Sequence, residues 1–482
     1  MSPRAARSLL KLRDLAPLAI LLCLTLPLLG QGAFRTDTGR YAAIGLHAWR
    51  SHDLLTLHIA NQPYFNKPPL AILVHGLVLH AAGLSLALAR LPTILAAAIV
   101  LVATHAAARR LVPHRAAALA AMVLALTYEF FRRTREISLD MWQTALLACA
   151  LYLAARALRA NNPRTLILVG IPVGLALLVK PFVAILALPI IAIALAWAGM
   201  PLRRSTPPLA LAAAVAGAIA APWHLAMVDI HRDAFVSQYL GAEILSRAAG
   251  ENIQSHTARP WHFYLLQLLR THWPWLPCLV ASILTIARAG SLSSRRSLER
   301  VALVWTLAWL LLLSAFADRA DRYALVLWPA TSTLSALWLA SRTGPRLRRA
   351  LRLAPLAGAC VAIPTAIAVQ MLTPPVQAGP DPAWDTLVRA LDDTGSAQIY
   401  IAGYDDETAS YLYLTRGSWP TMTHNPRGER LNPPTRGDWI VYHERGGLDP
   451  GPGERTTVVS DSLRMSRLDA ETWEPLWRAR DR

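Results

Sequence analysis

Charged side chains stand at the ends of several long apolar segments of this 482-residue chain. Asp37 follows the first of these segments, and Asp140 begins a later one. The basic residues at comparable positions are Lys67, Arg132, Arg133, Arg135, Lys180, Arg247, Arg319 and Arg322. Because a charge beside lipid is costly unless it has a partner or a purpose, their convergence predicts a site that binds an anionic ligand.

Each of these charges also has a simpler explanation. A lone lysine or arginine can extend to the membrane surface and contact lipid head groups. Asp140 is favoured at a helix N-terminus by the helix dipole, and Asp37 can cap the amphipathic stretch from Arg40 to Trp49. The number of cations, and not any one of them, therefore supports the prediction of an anion site.

The elements that must position these residues are membrane helices. Hydrophobic residues make up 54% of the chain and charged residues only 16%, a composition that excludes an ordinary soluble enzyme. The net charge of +18 is distributed between the apolar segments, so we interpret it as a topology signal and expect no nucleic-acid partner. The four cysteines lie within apolar segments and indicate neither a disulfide framework nor a zinc site.

The distribution of lysine and arginine predicts how the chain crosses the membrane. The first apolar segment, Leu15–Phe34, follows basic residues and is interpreted as a retained helix with a cytoplasmic start; a cleaved signal peptide is the alternative. The segment from Pro68 to about Leu84 should lie at the outer interface without crossing. Further crossings are expected at roughly Leu88–Ala108, Ala116–Phe131, Asp140–Leu158, Leu166–Val179, Phe182–Ala198, Pro207–Met227, His262–Ala287, Val301–Phe316, Tyr323–Leu339 and Ala354–Leu372.

These assignments predict an all-α polytopic membrane protein with about eleven transmembrane helices and juxtamembrane helices in the first outer loop. Residues 1–373 form the membrane domain, and residues 374–482 a small soluble α/β domain. The predicted elements of this second domain are helices at Trp384–Leu391 and Ala409–Arg416 and strands at Ala397–Ala402 and Trp439–His443. Because the basic connections should face the cytoplasm, the charged site and the soluble domain are both expected on the outer side.

Two segments of the first outer loop, Asp37-Thr-Gly-Arg-Tyr41 and Tyr64-Phe-Asn-Lys-Pro68, have the character of motifs. They resemble the D-E-x-R-Y and Y-F-E-K-P motifs of the polyprenyl-phosphate-dependent membrane glycosyltransferases of the C superfamily. This family includes the aminoarabinose transferases that act on lipid A and the protein O-mannosyltransferases. Further similar segments follow in the family's order: Leu139-Asp140, Lys180-Pro-Phe, Ala221-Pro-Trp223, Glu243, Arg247, His256–Tyr264 and Ser314–Pro329.

The resemblance implies an inverting glycosyltransferase that moves a sugar from a polyprenyl phosphate, undecaprenyl phosphate in bacteria, to an acceptor lipid, glycan or protein. It implies Asp37 as the base for the acceptor and Asp140 as a second catalytic residue. It places the active site on the periplasmic face of the bacterial inner membrane. The implied substrate-binding residues are Arg40, Tyr41, Tyr64, Lys67, Lys180, Glu243, Arg247, His256, Arg319, Arg322 and Tyr323.

The chain departs from the family pattern at three positions. Thr38 replaces the second acidic residue of the first motif, Asn66 replaces the glutamate before the loop lysine, and Arg319 stands where lysine is usual. Two acidic ligands of a divalent ion are therefore missing, so a metal is allowed but not required. Arginine keeps the charge of lysine but changes the geometry of its donors.

Two other classes of protein fit parts of the pattern. A transporter or flippase of lipid-linked substrates would also line a pathway with intramembrane charges, although no inverted repeat is detectable. A non-catalytic envelope scaffold would explain the altered first motif. Turnover of a lipid-linked sugar by the purified protein distinguishes all three.

Overall fold

The structure is a computed structural model that describes residues 15–31, 34, 36–60, 62–112, 114–246, 259–288, 297–342, 399–401, 406–422, 439–443, 456–458 and 463–467. The chain divides into two compact units. We call the first the helical unit; it comprises Met1–Leu29, Phe65–Ala71 and Arg90–Gln370. The second, the mixed unit, comprises Gly30–Tyr64, Ile72–Ala89 and Met371–Arg482.

Helices make up most of the described residues. In chain order they are α1 (Leu15–Leu28), α2 (Thr36–Ser51), α3 (Leu70–Ala82), α4 (Leu86–Leu111), α5 (His114–Ala125), α6 (Tyr128–Arg132), α7 (Leu139–Ala160), α8 (Gly170–Leu177), α9 (Pro181–Trp197), α10 (Leu202–Phe235), α11 (Phe263–Thr271), α12 (Leu276–Arg288), α13 (Ser297–Ala315), α14 (Trp328–Arg342) and α15 (Asp406–Arg416). A π-helix, Val236–Ser246, continues α10.

Among the described residues, five helical segments are long and apolar enough to cross a membrane. They are α4, α7, Leu202–Glu243, α13 and Asp321–Ser341. Six further apolar helices have 10–17 residues. The protein is thus a helical membrane protein, as predicted. The total of about eleven crossings stays a prediction, and the last predicted crossing, Ala354–Leu372, lies outside the described residues.

Proline explains why two of the predicted crossings are wrong in extent. The first was expected to reach Phe34, but α1 ends at Leu28 in a 3-10 turn that contains Pro27. The second, His262–Ala287, is interrupted by a 3-10 turn at Trp273–Trp275. Proline lacks an N–H and clashes with the carbonyl four residues before it, so α11 and α12 are separate helices. With nine residues, α11 is too short to cross a bilayer.

Small residues set the closest helix contacts of the helical unit. A Cβ added to Gly170, which begins α8, would lie 2.3 Å from the carbonyl oxygen of Ala212 in α10. At Gly174 it would lie 2.9 Å from the Cβ of Ile219. Small residues at such contacts let membrane helices approach closely. The backbones of α8 and α10 are therefore in direct contact at these two glycines, with no large side chain between them.

The mixed unit joins the first outer loop to the C-terminal tail. Helices α2 and α3 cross where Gly45 meets Gly76, and a Cβ on Gly76 would lie 2.2 Å from backbone atoms of Gly45. Helix α15 packs against α2, with the His47 ring 5.4 Å from Tyr413 and 5.7 Å from Trp419. Tyr413 is fully buried at 2% exposure. The tail therefore supplies part of the core that supports α2.

The described strands form two sheets. His58–Ile59 (β1) and Gln62–Pro63 (β2) pair as a small hairpin in the first loop. The tail sheet has the order β4-β3-β5-β7-β6, with β3 parallel to β4 and β5, and β7 antiparallel to β5 and β6. Its strands are β3 (Ile399–Ile401), β4 (Thr421–Met422), β5 (Trp439–His443), β6 (Thr456–Val458) and β7 (Leu463–Arg467).

Three of the four elements predicted for the tail are present. β3 falls within Ala397–Ala402, β5 has the predicted bounds, and α15 includes Ala409–Arg416. The predicted helix Trp384–Leu391 lies outside the described residues. The domain boundary at residue 374 stays a prediction.

Candidate active site

The carboxylate of Asp140 is the meeting point of two cations in the helical unit. Asp140 is the second residue of α7, whose N-cap Ser138 accepts a hydrogen bond from the Met141 backbone N–H at 3.2 Å. Lys180 immediately precedes α9 and donates to one carboxylate oxygen at 2.6 Å. The Nε of Arg322 lies 3.7 Å from the other oxygen. Because the Asp140 side chain is only 11% exposed, this pairing holds both cations with little competition from water.

Lys67, in the first-loop motif, pairs with a carboxylate from much later in the chain. Its ammonium contacts Glu243, and the neighbouring Asn66 amide accepts a hydrogen bond from Gln238 at 3.1 Å. Gln238 and Glu243 both lie in the π-helix that continues α10. Because a π-helix repeats its hydrogen bonds every five residues, these side chains emerge on one face; an α-helix would separate them by about 140°. The π-helix thereby presents both to Asn66 and Lys67.

The two ion-paired groups belong to one cluster of charge. Burial lowers the pKa of the Lys180 ammonium, and Asp140 opposes that effect. The positive charges of Arg322 and Lys67 lower this pKa further, so the three cations act on one another. We call Lys67, Lys180, Arg322, Asp140 and Glu243 the cation cluster. An anion that replaces Asp140 as a partner would meet Lys180 and Arg322, and Lys67 is close enough to act on Lys180 electrostatically.

Tyr323 lies against the cation cluster. The ring centroid is 4.7 Å from the Lys180 ammonium and 5.5 Å from the guanidinium carbon of Arg322. The Tyr323 hydroxyl donates a hydrogen bond to Asp318 at 3.1 Å. Asp318 was not among the residues predicted from the sequence. Asp318 is the fifth of the ten residues from Ser314 to Tyr323 and matches no family motif, so only the folded geometry identifies it.

Arg319 is surrounded by backbone carbonyls. Its guanidinium donates to the backbone carbonyls of Ser314 at 2.9 Å, Ala317 at 3.5 Å and Arg259. Ser314 belongs to the last turn of α13, whose carbonyls lack helical partners. Arg319 therefore closes the end of α13 in this structure, and its predicted contact with a phosphate stays a prediction.

Another group of charges, the arginine turn, is formed by Glu129, Arg132, Arg133 and Glu136. Glu129 accepts hydrogen bonds from Arg132 at 2.9 Å and from Arg133 at 2.7 Å, and Arg133 also donates to Glu136 at 2.9 Å. Arg132 makes two longer contacts, at 3.7 Å with Glu136 and at 3.9 Å with Asp321. The spacings of three and four residues are those of neighbours on a helix, and this signal could have identified the pairing from the sequence.

The predicted site residues from Asp37 to Tyr64 belong to the mixed unit. Asp37 lies in the first turn of α2 and pairs with Arg40 at 3.0 Å, both side chains being about one quarter exposed. Tyr41 and Tyr64 are buried, and the Tyr64 backbone N–H donates to the Leu57 carbonyl at 2.7 Å. The two tyrosines thus help to fix the loop. The remaining predicted residues, Arg247 and His256, lie outside the described residues.

The described residues contain no cluster that fits a divalent ion. Within the part of the chain that the structure describes, no three His, Cys, Asp or Glu side chains converge on a common point. Asn66, at the position of a family glutamate, already accepts a hydrogen bond from Gln238. We therefore assign no step to a metal.

Comparison with known proteins gives matches in sequence. The family of dolichyl-phosphate-mannose-protein mannosyltransferases matches residues 66–225. An undecaprenyl phosphate-alpha-4-amino-4-deoxy-L-arabinose arabinosyl transferase from Pectobacterium carotovorum is 27% identical over 358 residues, covering 72% of this chain and 62% of that protein. One from Edwardsiella ictaluri is 30% identical over 267 residues, 53% of this chain and 47% of the relative. The chain thus spans less than two thirds of the length of these relatives.

Solved structures give a match in fold over nearly the whole chain. ArnT from Cupriavidus metallidurans in the apo state has a TM-score of 0.74 at 19% identity, covering 96% of this chain and 98% of that one. The same protein bound to undecaprenyl phosphate has a TM-score of 0.71 at 18% identity, with 94% and 97% covered. These matches confirm the resemblance predicted from the loop motifs, which is to the polyprenyl-phosphate-dependent membrane glycosyltransferases of the C superfamily.

Proposed function

We propose that the protein is an inverting glycosyltransferase that moves a sugar from undecaprenyl phosphate to an acceptor at the periplasmic face of the inner membrane. The observation that supports this most is the cation cluster, in which Lys67, Lys180 and Arg322 converge from distant segments. A site for a lipid-linked phosphate needs cations at the edge of the bilayer, and such cations are rare without a function.

Donor binding begins with an exchange of partners. Lys67 and Glu243 have side chains that are only 16% and 8% exposed, so their pairing is partly desolvated. The donor phosphate competes with Glu243 for Lys67 and also attracts Lys180 and Arg322, which are paired with Asp140. Positively charged donors that are already in place cost little reorganisation during the reaction.

In the reaction, the bond between the anomeric carbon and the phosphate oxygen breaks, and its electron pair stays on the phosphate. The leaving group is then undecaprenyl phosphate with one additional negative charge, which the three cations stabilise. An acceptor oxygen forms the new bond to the anomeric carbon from the opposite face, which inverts the configuration. Asp37 takes the proton of the acceptor.

The names of the relatives support a specific donor. The matched Pectobacterium and Edwardsiella proteins are named for 4-amino-4-deoxy-L-arabinose carried on undecaprenyl phosphate. We therefore take this aminosugar as the first donor to test and a lipid A type glycolipid as the first acceptor. A protein acceptor is the alternative, because the matched family is named for protein mannosyltransferases.

The test is turnover by purified full-length protein in liposomes that contain an undecaprenyl-phosphate-linked sugar and the acceptor. We expect release of undecaprenyl phosphate and an equal amount of glycosylated acceptor, detected by mass spectrometry. Movement of the lipid-linked sugar across the bilayer without cleavage would instead support a transporter. If the sugar is neither transferred nor moved, the result supports a scaffold.

The proposed topology has its own test. Reporter tags after Arg110, Asn161 and Ser294 should be cytoplasmic, whereas tags near Ala248 and in the tail should be periplasmic. A cytoplasmic tail would contradict the outward orientation of the site.

A further inference from the structure

Tyr323 touches both cations bound to Asp140 and also has a carboxylate partner of its own. Its ring is 4.7 Å from Lys180 and 5.5 Å from Arg322, and its hydroxyl donates to Asp318 at 3.1 Å. Cations stacked on an aromatic face are attracted by the negative charge of that face. The position of the ring therefore affects where both cations lie.

The bond to Asp318 fixes the direction of the ring. A tyrosine hydroxyl lies on the axis about which its ring rotates, so a hydrogen bond there holds the axis and leaves rotation of the ring to be limited by the two cations. One Asp318 oxygen accepts from Tyr323, and the other is buried without a hydrogen-bond partner among the described residues. Within those residues, Asp318 accordingly serves the Tyr323 hydroxyl alone.

A second contact joins the segment that contains Asp318 and Tyr323 to the segment that contains Lys180. Phe316, two residues before Asp318, packs edge-to-face against Phe182, two residues after Lys180, with centroids 4.7 Å apart. The start of α9, with Lys180 just before it, and the segment after α13 are thus joined by an apolar contact and by the stacked cation. This rigid backing makes the hydroxyl bond of Tyr323 an effective means of setting the position of Lys180.

We propose that Asp318 is a positioning residue, which holds Tyr323 so that its ring places Lys180 and Arg322 around the leaving phosphate. The inference rests on the proposed function. Asp318 itself touches no reacting atom. It acts through a neutral ring, so its charge matters less than its ability to accept a hydrogen bond.

Three variants test this role. Asp318→Ala removes the acceptor, and Tyr323→Phe removes the donor but keeps the ring. Each should lower kcat on the order of tenfold, since small displacements of catalytic groups have effects of this size or larger, while the KM for the lipid-linked sugar changes less. Asp318→Asn keeps an acceptor and should recover most of the lost rate. The matched control is Asp233→Ala, an exposed carboxylate of the same unit.

A double-mutant cycle separates positioning from other roles. Asp318→Ala combined with Tyr323→Phe should be no slower than either single variant, because both remove the same bond. Additive losses would overturn the proposal, as would an Asp318→Asn variant as slow as Asp318→Ala. A loss of folded protein with unchanged kcat in the folded fraction would show a purely structural role and would also overturn it.

Failure of the proposed function would be recognised separately. If the wild-type protein transfers no sugar, that function is wrong, and binding of undecaprenyl phosphate measured by native mass spectrometry then decides the inference. Asp318→Ala and Tyr323→Phe should each bind this phosphate about tenfold more weakly than wild type or Asp233→Ala. Equal binding by all four proteins would refute the inference.

Discussion

The cation cluster and the arginine turn are two charged regions of the helical unit that use similar residues in different ways. In the arginine turn, Glu129 pairs with arginines three and four residues later. In the cation cluster, Asp140 pairs with Lys180 at a separation of 40 residues, and Lys67 pairs with Glu243 at a separation of 176. Apart from the 3.9 Å contact between Arg132 and Asp321, the pairs of the first region form between neighbours in the chain, whereas those of the second form only once the helices have assembled.

This difference indicates which region binds a ligand. Carboxylates next to their arginines in the chain satisfy those charges locally, so Arg132 and Arg133 can serve the fold alone. Charges brought together from separate helices must overcome the cost of moving each ion out of water. Stability alone is a weak reason to collect them, since buried ion pairs are often no better than apolar contacts. Binding of an anionic ligand by these cations explains why the fold brings them together.

The largest effect on activity is expected at Asp37, which lies in neither region. Its loss shows how far the rate falls when the proposed base is removed, and the effects in the two regions are compared with that fall. Asp37→Asn should lower the transfer rate by about a hundredfold or more, because the amide cannot take the acceptor proton. Asparagine has nearly the size of aspartate and keeps an oxygen that can accept from Arg40, so expression and donor binding should be retained. Turnover in liposomes measures the effect; near-normal turnover together with an inactive Asp140→Asn would move the base to Asp140.

The next effect separates the two regions directly. Lys67→Ala and Arg322→Ala should each lose about 2–3 kcal/mol of transition-state stabilisation, or roughly 30- to 150-fold in kcat/KM. Arg132→Ala, in the arginine turn, is the matched control and should change kcat/KM by no more than about threefold. If Arg132→Ala is as slow as Arg322→Ala, the division into a ligand site and a structural turn is wrong.

Substitutions in the arginine turn should instead lower the stability of the protein. Glu129→Gln leaves the buried Arg133 with one partner fewer, and we expect a loss of about 3 kcal/mol in the free energy of unfolding. A lower midpoint of thermal denaturation with unchanged specific activity of the folded protein is the expected result. Glu136, which is 37% exposed, is the control: Glu136→Gln should cost about 1 kcal/mol or less. Equal losses would mean that burial does not set the importance of these carboxylates.

The smallest effect is expected at Glu243. Glu243→Gln removes the charge that competes with the donor phosphate for Lys67, so undecaprenyl phosphate should bind about two- to fivefold more tightly. Binding isotherms of the wild type and the variant in the same detergent measure this. Weaker binding by the variant would mean that Glu243 orients Lys67 toward the phosphate instead of competing with it.

Hydropathy and local motifs predicted the starts of the helices that carry the site. The expected helix from Asp140 begins at Leu139, and Lys180 stands at the junction before α9 as its motif indicated. These features depend on residues close together in the chain, namely the N-cap Ser138 and Pro181. The break at Trp273–Trp275 was also visible in principle, because Pro274 lies within it.

The pairings inside the site were not predictable in the same way. Nothing near Glu243 distinguishes it as the partner of Lys67, and Asp318 has no local feature that points to Tyr323 rather than to Arg319 or Arg322. These contacts follow from how separate helices pack, including the π-helix that turns Gln238 and Glu243 to one face. Helix packing is set by shape along whole surfaces, which a short motif does not encode.

The packing of α15 on α2 also has a consequence for biosynthesis. His47 is made 366 residues before its neighbour Tyr413, from the difference of their numbers. At about 5–20 residues per second, a ribosome needs roughly 20–70 s to cover that interval. During this time the face of α2 that receives Tyr413 and Trp419 has no partner, and the helix bearing Asp37 lacks part of its support. In the nascent protein, the core around α2 is therefore complete only after the segment that contains Tyr413 and Trp419 has been synthesised.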